Sequence, residues 1–239
     1  MTIDRFRLKN DDVIADKYRV IRFLGGGWEG EVYLVEELLT GIERTAKFFY
    51  PARNLRNSAL KHYARKLHKL RQCPIVIQYH TQETVILKGY KISILFSEYV
   101  EGKLLSQFIR SQPGKRLSPF QGIHLLHSLA TGLETIHGTR DYHGDLHMEN
   151  ILVQRFGLGF DLKLLDMFNW GPANGENYRG DICDVIRIFY DILGGAKHYS
   201  KHPPEVKAII CGLKRNLILK KFRNASQLRL HIENMEWQS

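Results

Sequence analysis

The hydrophobic pattern of this chain changes period at Glu101-Gly102, and no other feature restricts the fold as much. Before that point, residues 18–50 ("YRVIRFLGGGWEGEVYLVEELLTGIERTAKFFY") alternate apolar and polar positions around a glycine cluster, predicting three strands joined by hairpins. "TQETVILKGYKISILFSEYVEG" predicts two more strands, with Lys88-Gly89 at the turn. Between them Leu60, Tyr63, Leu67 and Leu70 recur at helical steps. The first hundred residues are thus expected to form a five-stranded antiparallel sheet with one helix. Beyond the switch, "KLLSQFIRS", "PFQGIHLLHSLATGLETIHGT", "DICDVIRIFYDILGG" and "PEVKAIICGLKRNLIL" carry helical periods. Pro119 near a helix start and Gly194-Gly195 after a helix end are ordinary boundary signals. The expectation is an α+β chain with an N-terminal extension at 1–17 and one domain at 18–239. That domain divides into a sheet lobe at 18–100 and a mainly helical lobe at 101–239.

A hydrophobic content of 44% over 239 residues is enough for a substantial core, which excludes a disordered or fibrous class. No apolar run is long enough for a membrane span, and the start "MTIDRFRLKNDD" lacks the apolar core of a signal peptide, so a cytoplasmic location is expected. Cys73, Cys183 and Cys211 are odd in number and widely spaced, without a CxxC, and are expected as reduced, packed thiols. The formal charge of +10 favours nucleotide, acidic protein, nucleic acid or anionic lipid as partners, without choosing among them. Seven Lys or Arg residues (Arg53, Arg56, Lys61, Arg65, Lys66, Lys69, Arg71) and no acid fall between 53 and 71. On an amphipathic helix they form either a solvated face or a docking surface for an acidic partner.

The chemistry concentrates in "HGDLHMEN" at 143–150 and in Asp166, sixteen residues beyond Asn150. A phosphoryl donor carrying metal ions needs several oxygen-bearing side chains around one point, and Asp145 and Asn150 are two from one short loop. "ILVQ" and "DLKLLD" predict a hairpin that returns Asp166 to the same place. A single loop aspartate is usually a turn former, so the ordered set carries the signal. Upstream, Leu24-Gly25-Gly26-Gly27-Trp28-Glu29-Gly30-Glu31-Val32 satisfies GxGxxG, a weak pattern by itself. It lies between two predicted strands, which argues against a dinucleotide fold and suits a loop over phosphates. Backbone amides reach phosphate closely only where no Cβ intervenes, hence Gly25, Gly27 and Gly30, with Trp28 and Glu29 at the tip. Lys47, set in the apolar segment "AKFFY", needs a partner if buried, and an anionic phosphate is a suitable one.

In this order the parts resemble the protein kinase superfamily from about Tyr18 to Trp237. The resemblance implies ATP and Mg²⁺, with Gly25, Gly27, Gly30 and Val32 on the glycine-rich loop and Lys47 on the α and β phosphates. It makes "SEYVEG" the hinge, with Ser97 as gatekeeper, the Glu98 carbonyl and Val100 amide on adenine, and Leu24, Val32 and Leu152 as apolar walls. It assigns Asp145 as catalytic base, Asn150 and Asp166 as Mg²⁺ ligands, and Asp181 as the aspartate bracing the catalytic loop.

The chain departs from the family pattern at several positions. Kinases pair the strand lysine with a glutamate from the next helix, yet no Asp or Glu occurs between Lys47 and Glu83, and Tyr63 occupies the aligned place. Gly144 replaces the arginine that receives an activation-loop phosphate, and Asp166-Met167-Phe168 lacks the usual glycine. Asp166 to Asp181 is a fifteen-residue interval without Ser, Thr or an APE motif, and Lys221 stands where an arginine is expected. His147 replaces the catalytic-loop lysine of serine/threonine kinases, so "HGDLHxxN" resembles the loops of aminoglycoside and choline kinases. Three readings follow: a minimal, constitutively formed serine/threonine protein kinase, a phosphotransferase for a small hydroxyl compound, and a pseudokinase scaffold that binds nucleotide.

Overall fold

The computed structural model describes residues 3–157 and 159–236, without the side chains of Arg155 and Phe156. Trp237, at the end of the family resemblance and within the expected 18–239 domain, lies outside the described residues. The chain forms two compact units, divided between Arg71 and Gln72, between Val76 and Ile77, and between Val100 and Glu101.

The first unit is built on an antiparallel sheet of β1 (Val13–Ile14), β2 (Tyr18–Gly26), β3 (Gly30–Glu37), β4 (Glu43–Phe49), β5 (Tyr79–Leu87) and β6 (Tyr90–Glu98), in the order β1-β2-β3-β4-β6-β5. The sequence suggested five strands; the sheet has six, because Val13 and Ile14 pair with Arg19 and Tyr18. A two-residue strand is too short to show an alternating pattern. Residues set apart as an extension enter the core: Phe6 and Ile14 are buried, and the Phe6 ring stacks on Tyr50 at 5.2 Å. The β5–β6 turn has both central residues in the left-handed region, Lys88 at φ 52 and Gly89 at φ 79, which suits the twist of a tight hairpin. Helix α1 (Ser58–Lys69) buries Leu60, Tyr63 and Leu67 and leaves Lys61, Arg65 and Lys69 exposed, as its periodicity predicts.

The second unit contains β7 (Lys103–Leu104), β8 (Ile151–Phe156) and β9 (Gly159–Leu164) as a small antiparallel sheet. Its helices are α2 (Leu105–Ser111), α3 (Pro119–Gly138), α4 (Gly175–Ile192), α5 (Ala196–Tyr199), α6 (Pro204–Ile210), α7 (Arg215–Lys221) and α8 (Ala225–Glu233). Capping boxes start α3, through Ser118 and Gln121, and α4, through Asn174 and Asn177. Residues 72–76 belong here because Ile75 accepts the Leu164 amide at 2.7 Å and Val76 bridges Leu164. The single helical period at 204–219 becomes two helices. Cys211, Gly212 and Leu213 take φ values of 52, 60 and 58, which end α6 and turn the chain into α7. The three cysteines are free, Cys73 being buried. Among the described residues no helix is long and apolar enough to cross a membrane.

Candidate functional site

In the first unit the glycine cluster is the β2–β3 hairpin. Gly25 pairs with Val32 and Gly26 with Glu31, and the Gly27 amide closes the loop on the Gly30 carbonyl at 2.9 Å. Gly30 is required by proximity: a Cβ there would lie 1.9 Å from the Phe48 carbonyl oxygen. Beside Gly25 and Gly27 the space is open to 4 Å. Strand pairing sets Lys47 between Val32 and Leu95, where the residue is 8% exposed.

The Lys47 ammonium is 2.9 Å from the Glu29 carboxylate, at the tip of the glycine hairpin. It also lies 4.8 Å from the centroid of the Tyr63 ring and 5.5 Å from that of Phe49. The acid missing from α1 is therefore supplied from before the lysine, and the aligned helix position presents a ring. The tip is held further by the Tyr50 amide on the Glu29 carbonyl (2.9 Å) and by Arg53, whose guanidinium is 4.2 Å from the Trp28 ring centroid. Leu24, Val32 and Val100 are half-buried, and Ser97 is buried. Gln78 fixes the end of β6, donating its amide to the Glu98 carboxylate (3.0 Å) and accepting the Glu98 amide (2.9 Å).

In the second unit the loop 143–150 is organised by Asp181 of α4, which is fully buried. Its carboxylate accepts the His143 and Gly144 amides, both at 2.8 Å, and meets His137 Nε2 at 3.0 Å. His143, also fully buried, places its Nε2 2.9 Å from the Leu165 carbonyl and accepts the Phe168 amide on its own carbonyl at 2.9 Å. The Leu165 amide donates to the Asn150 carbonyl at 2.9 Å. Asp166 is thus tethered on both sides to the loop that carries Asp145 and Asn150, and it takes a left-handed φ of 48. Asn150 Nδ2 donates to the Asp145 carbonyl (2.9 Å) and to its carboxylate (3.3 Å). His147 Nδ1 accepts the Glu149 amide at 3.2 Å, while Nε2 is 3.6 Å from Asp145 Oδ2 and 3.0 Å from Asn150 Nδ2. Leu152 sits in β8 opposite Leu104 and Lys163.

Sequence reasoning missed Asp184. Its carboxyl is pushed up to about 6, first by burial and then by the neighbouring charges of Asp181 and Asp145. No motif marks it, since its environment exists only once α4 packs beside the loop.

The departure at Gly144 has a structural reason. The residue has φ +85, and a Cβ would meet the Tyr142 ring at 2.8 Å and Trp170 at 3.1 Å. Trp170 donates its indole N–H to the Gly144 carbonyl (2.8 Å) and its amide to the Tyr142 hydroxyl (2.6 Å), which in turn donates to the Gly171 carbonyl (2.9 Å). The segment after Asp166 is pinned where an arginine side chain would otherwise begin. Glu176 at the start of α4 pairs with Arg215 of α7, an ion pair the spacing did not reveal, and Lys221 donates to the Ala208 carbonyl at 3.0 Å.

Among the described residues no group of three or more His, Cys, Asp or Glu forms a closed metal site. Asn150 commits its amide N–H to Asp145, and its side-chain oxygen and the Asp166 carboxylate are both hard oxygen donors. Such a pair suits Mg²⁺, which completes its shell with phosphate and water.

Strand order and loop construction together define the class, a chain of the protein kinase fold. The chain belongs to the protein kinase family: the family model described as the protein kinase domain matches residues 18–178. It is 28% identical to the serine/threonine-protein kinase pkn2 of Myxococcus xanthus over 66% of this chain and 19% of the relative. It is 31% identical to the serine/threonine-protein kinase ssn3 of Aspergillus terreus over 78% of this chain and 45% of the relative. The chain therefore spans less than half the length of these curated relatives. The crystal structure of the Mycobacterium tuberculosis PknI kinase domain superposes with a TM-score of 0.66 at 18% identity, covering 95% of this chain and 98% of that one. At that identity the likeness speaks for the fold.

Proposed function

We propose that this chain is an ATP- and Mg²⁺-dependent protein kinase of minimal build, transferring the γ-phosphoryl group to a serine or threonine hydroxyl. The observation that carries the reading is the tethering of Asp145, Asn150 and Asp166 through Asp181 and His143 into one loop system, which supports assigning them as base and metal donors. Gly25, Gly27 and Gly30 offer amides to the phosphates and Lys47 offers its ammonium. The Val100 amide donates to adenine, the Glu98 carbonyl accepts from it, and Leu24 and Val32 pack on the ring. When bound, Mg²⁺ neutralises charge on the phosphates, held by Asn150 and Asp166. Asp145 orients the acceptor hydroxyl and takes its proton as the oxygen bonds to phosphorus and the bond to ADP breaks. Gly144 and the pinned Trp170 support a site formed without activation-loop phosphorylation. The exposed basic face of α1 suits an acidic partner bound in a salt-sensitive manner.

Incubation with labelled ATP and Mg²⁺ tests the reading, comparing wild type with Asp145→Ala and Asp166→Ala on protein and small-hydroxyl acceptors. Label on a protein from wild type alone supports it. Label only on a small hydroxyl compound replaces it with the aminoglycoside- or choline-kinase-like reading. Nucleotide binding with no transfer in any variant replaces it with the scaffold.

A further inference from the structure

A buried ammonium needs a partner, and a lysine that serves phosphate must keep its charge available while the site is empty. Two contacts of Lys47 differ in character. Its side chain is 10% exposed and faces Tyr63, itself buried, at 4.8 Å from the ring centroid. The Glu29 side chain, 2.9 Å away, is 34% exposed and sits on a hairpin tip. The carboxylate can move into water at small cost, whereas the ammonium and the ring cannot. Polyphosphate entering beneath the hairpin would repel Glu29 and attract Lys47. A ring differs from a helix carboxylate in one further respect. It holds a cation by its quadrupole and brings no formal negative charge of its own to compete with the phosphates.

We propose that Tyr63 is the positioning residue for Lys47, gripping the ammonium with its ring face in place of a helix carboxylate, and that Glu29 is a placeholder that nucleotide phosphate displaces. This deepens the kinase reading and rests on it. Phe49, at 5.5 Å, closes the other side of the ammonium. The arrangement lies wholly within the first unit, so the lysine is oriented without an acid from α1.

The test uses the full chain and four proteins: wild type, Tyr63→Phe, Tyr63→Leu and Glu29→Gln. Titration with Mg²⁺·ATP is expected to show Tyr63→Leu weakened about tenfold, between the worth of an exposed and of a desolvated cation–π contact. Tyr63→Phe, which keeps the ring, should restore most of that affinity. Glu29→Gln should bind about threefold tighter, because a partly exposed competing ion pair is removed. A second readout needs no nucleotide: the ¹³C-labelled ε-methylene of Lys47, assigned through Lys47→Arg, should be ring-current shifted upfield in wild type and Tyr63→Phe. Most of that shift should vanish in Tyr63→Leu. A folded Tyr63→Leu protein that binds as wild type, a Glu29→Gln protein that binds more weakly, or an unchanged methylene shift in Tyr63→Leu overturns the proposal. If Tyr63→Leu does not fold, Glu29→Gln and the Tyr63→Phe methylene shift decide. If wild type binds no Mg²⁺·ATP, the kinase reading fails, and the methylene shift still decides whether the ring holds the lysine.

Discussion

Replacing Asp181 by Asn should cost far more than an isosteric change suggests. One carboxylate oxygen accepts the Gly144 amide at 2.8 Å; the other accepts the His143 amide at 2.8 Å and meets His137 Nε2 at 3.0 Å. Asparagine has one acceptor, so either orientation turns an NH₂ against at least one N–H. The less harmful orientation sets it against Gly144. A charge-assisted bond is then lost, about 1.5–3 kcal/mol, and the remaining contacts become neutral ones, so the sum is about 2–4 kcal/mol. The side chain is fully buried, and water cannot repair the mismatch. For a chain of this size each kcal/mol lowers Tm by about 2–4 °C, so Asp181→Asn should melt roughly 4–16 °C below wild type. Asp181→Ala, which orphans all three groups, should fall lower still. Circular dichroism melts measure the shift, and phosphotransfer by Asp181→Asn should drop because Gly144 and Asp145 share the loosened loop. A Tm for Asp181→Asn within about 2 °C of wild type would refute the claim that this carboxylate holds the loop.

Gly144→Ala adds a left-handed backbone cost of about 1–2 kcal/mol to the contacts at 2.8 Å with Tyr142 and 3.1 Å with Trp170. It should expose the segment after Asp166 to limited proteolysis, and Gly144→Arg should do so more strongly instead of restoring phosphate control. Gly30→Ala should destabilise the first unit through its 1.9 Å approach to the Phe48 carbonyl, while Gly25→Ala, with open space around it, should leave the melting temperature within about 2 °C of wild type. The raised carboxyl of Asp184 means the folded state binds its proton more tightly than the unfolded chain does. Stability should therefore fall as pH rises from about 4 to about 6. Asp184→Asn should be more stable than wild type at pH 7 by about 1–3 kcal/mol, with the gap closing below pH 4, as urea titrations across that range would record.

The sheet strands, α1, α3 and the β8–β9 hairpin were legible because alternation, helical period and turn chemistry depend on residues close in the chain. The break at Cys211–Leu213 escaped because the apolar period continues through it, and the left-handed turn needs only one glycine. Strand β1 escaped because two residues carry no period. The site divides along the same line. Asp145, Asn150 and Asp166, the residues proposed for the site, stand out by order and spacing, and Lys47 by its charge in an apolar strand.

By itself the sequence determined which residues could supply oxygen and ammonium groups, and that the helix after Lys47 holds no acid to pair with it. Only tertiary structure decided what stands in that acid's place: the face of Tyr63, and the carboxylate of Glu29, eighteen residues before the lysine. It likewise decided that Trp170 excludes a side chain at Gly144 and that Asp184 resists ionisation. The reason is physical. Composition and spacing record what each residue can offer, whereas burial, ring orientation and the approach of distant charges arise only when the backbone closes around them.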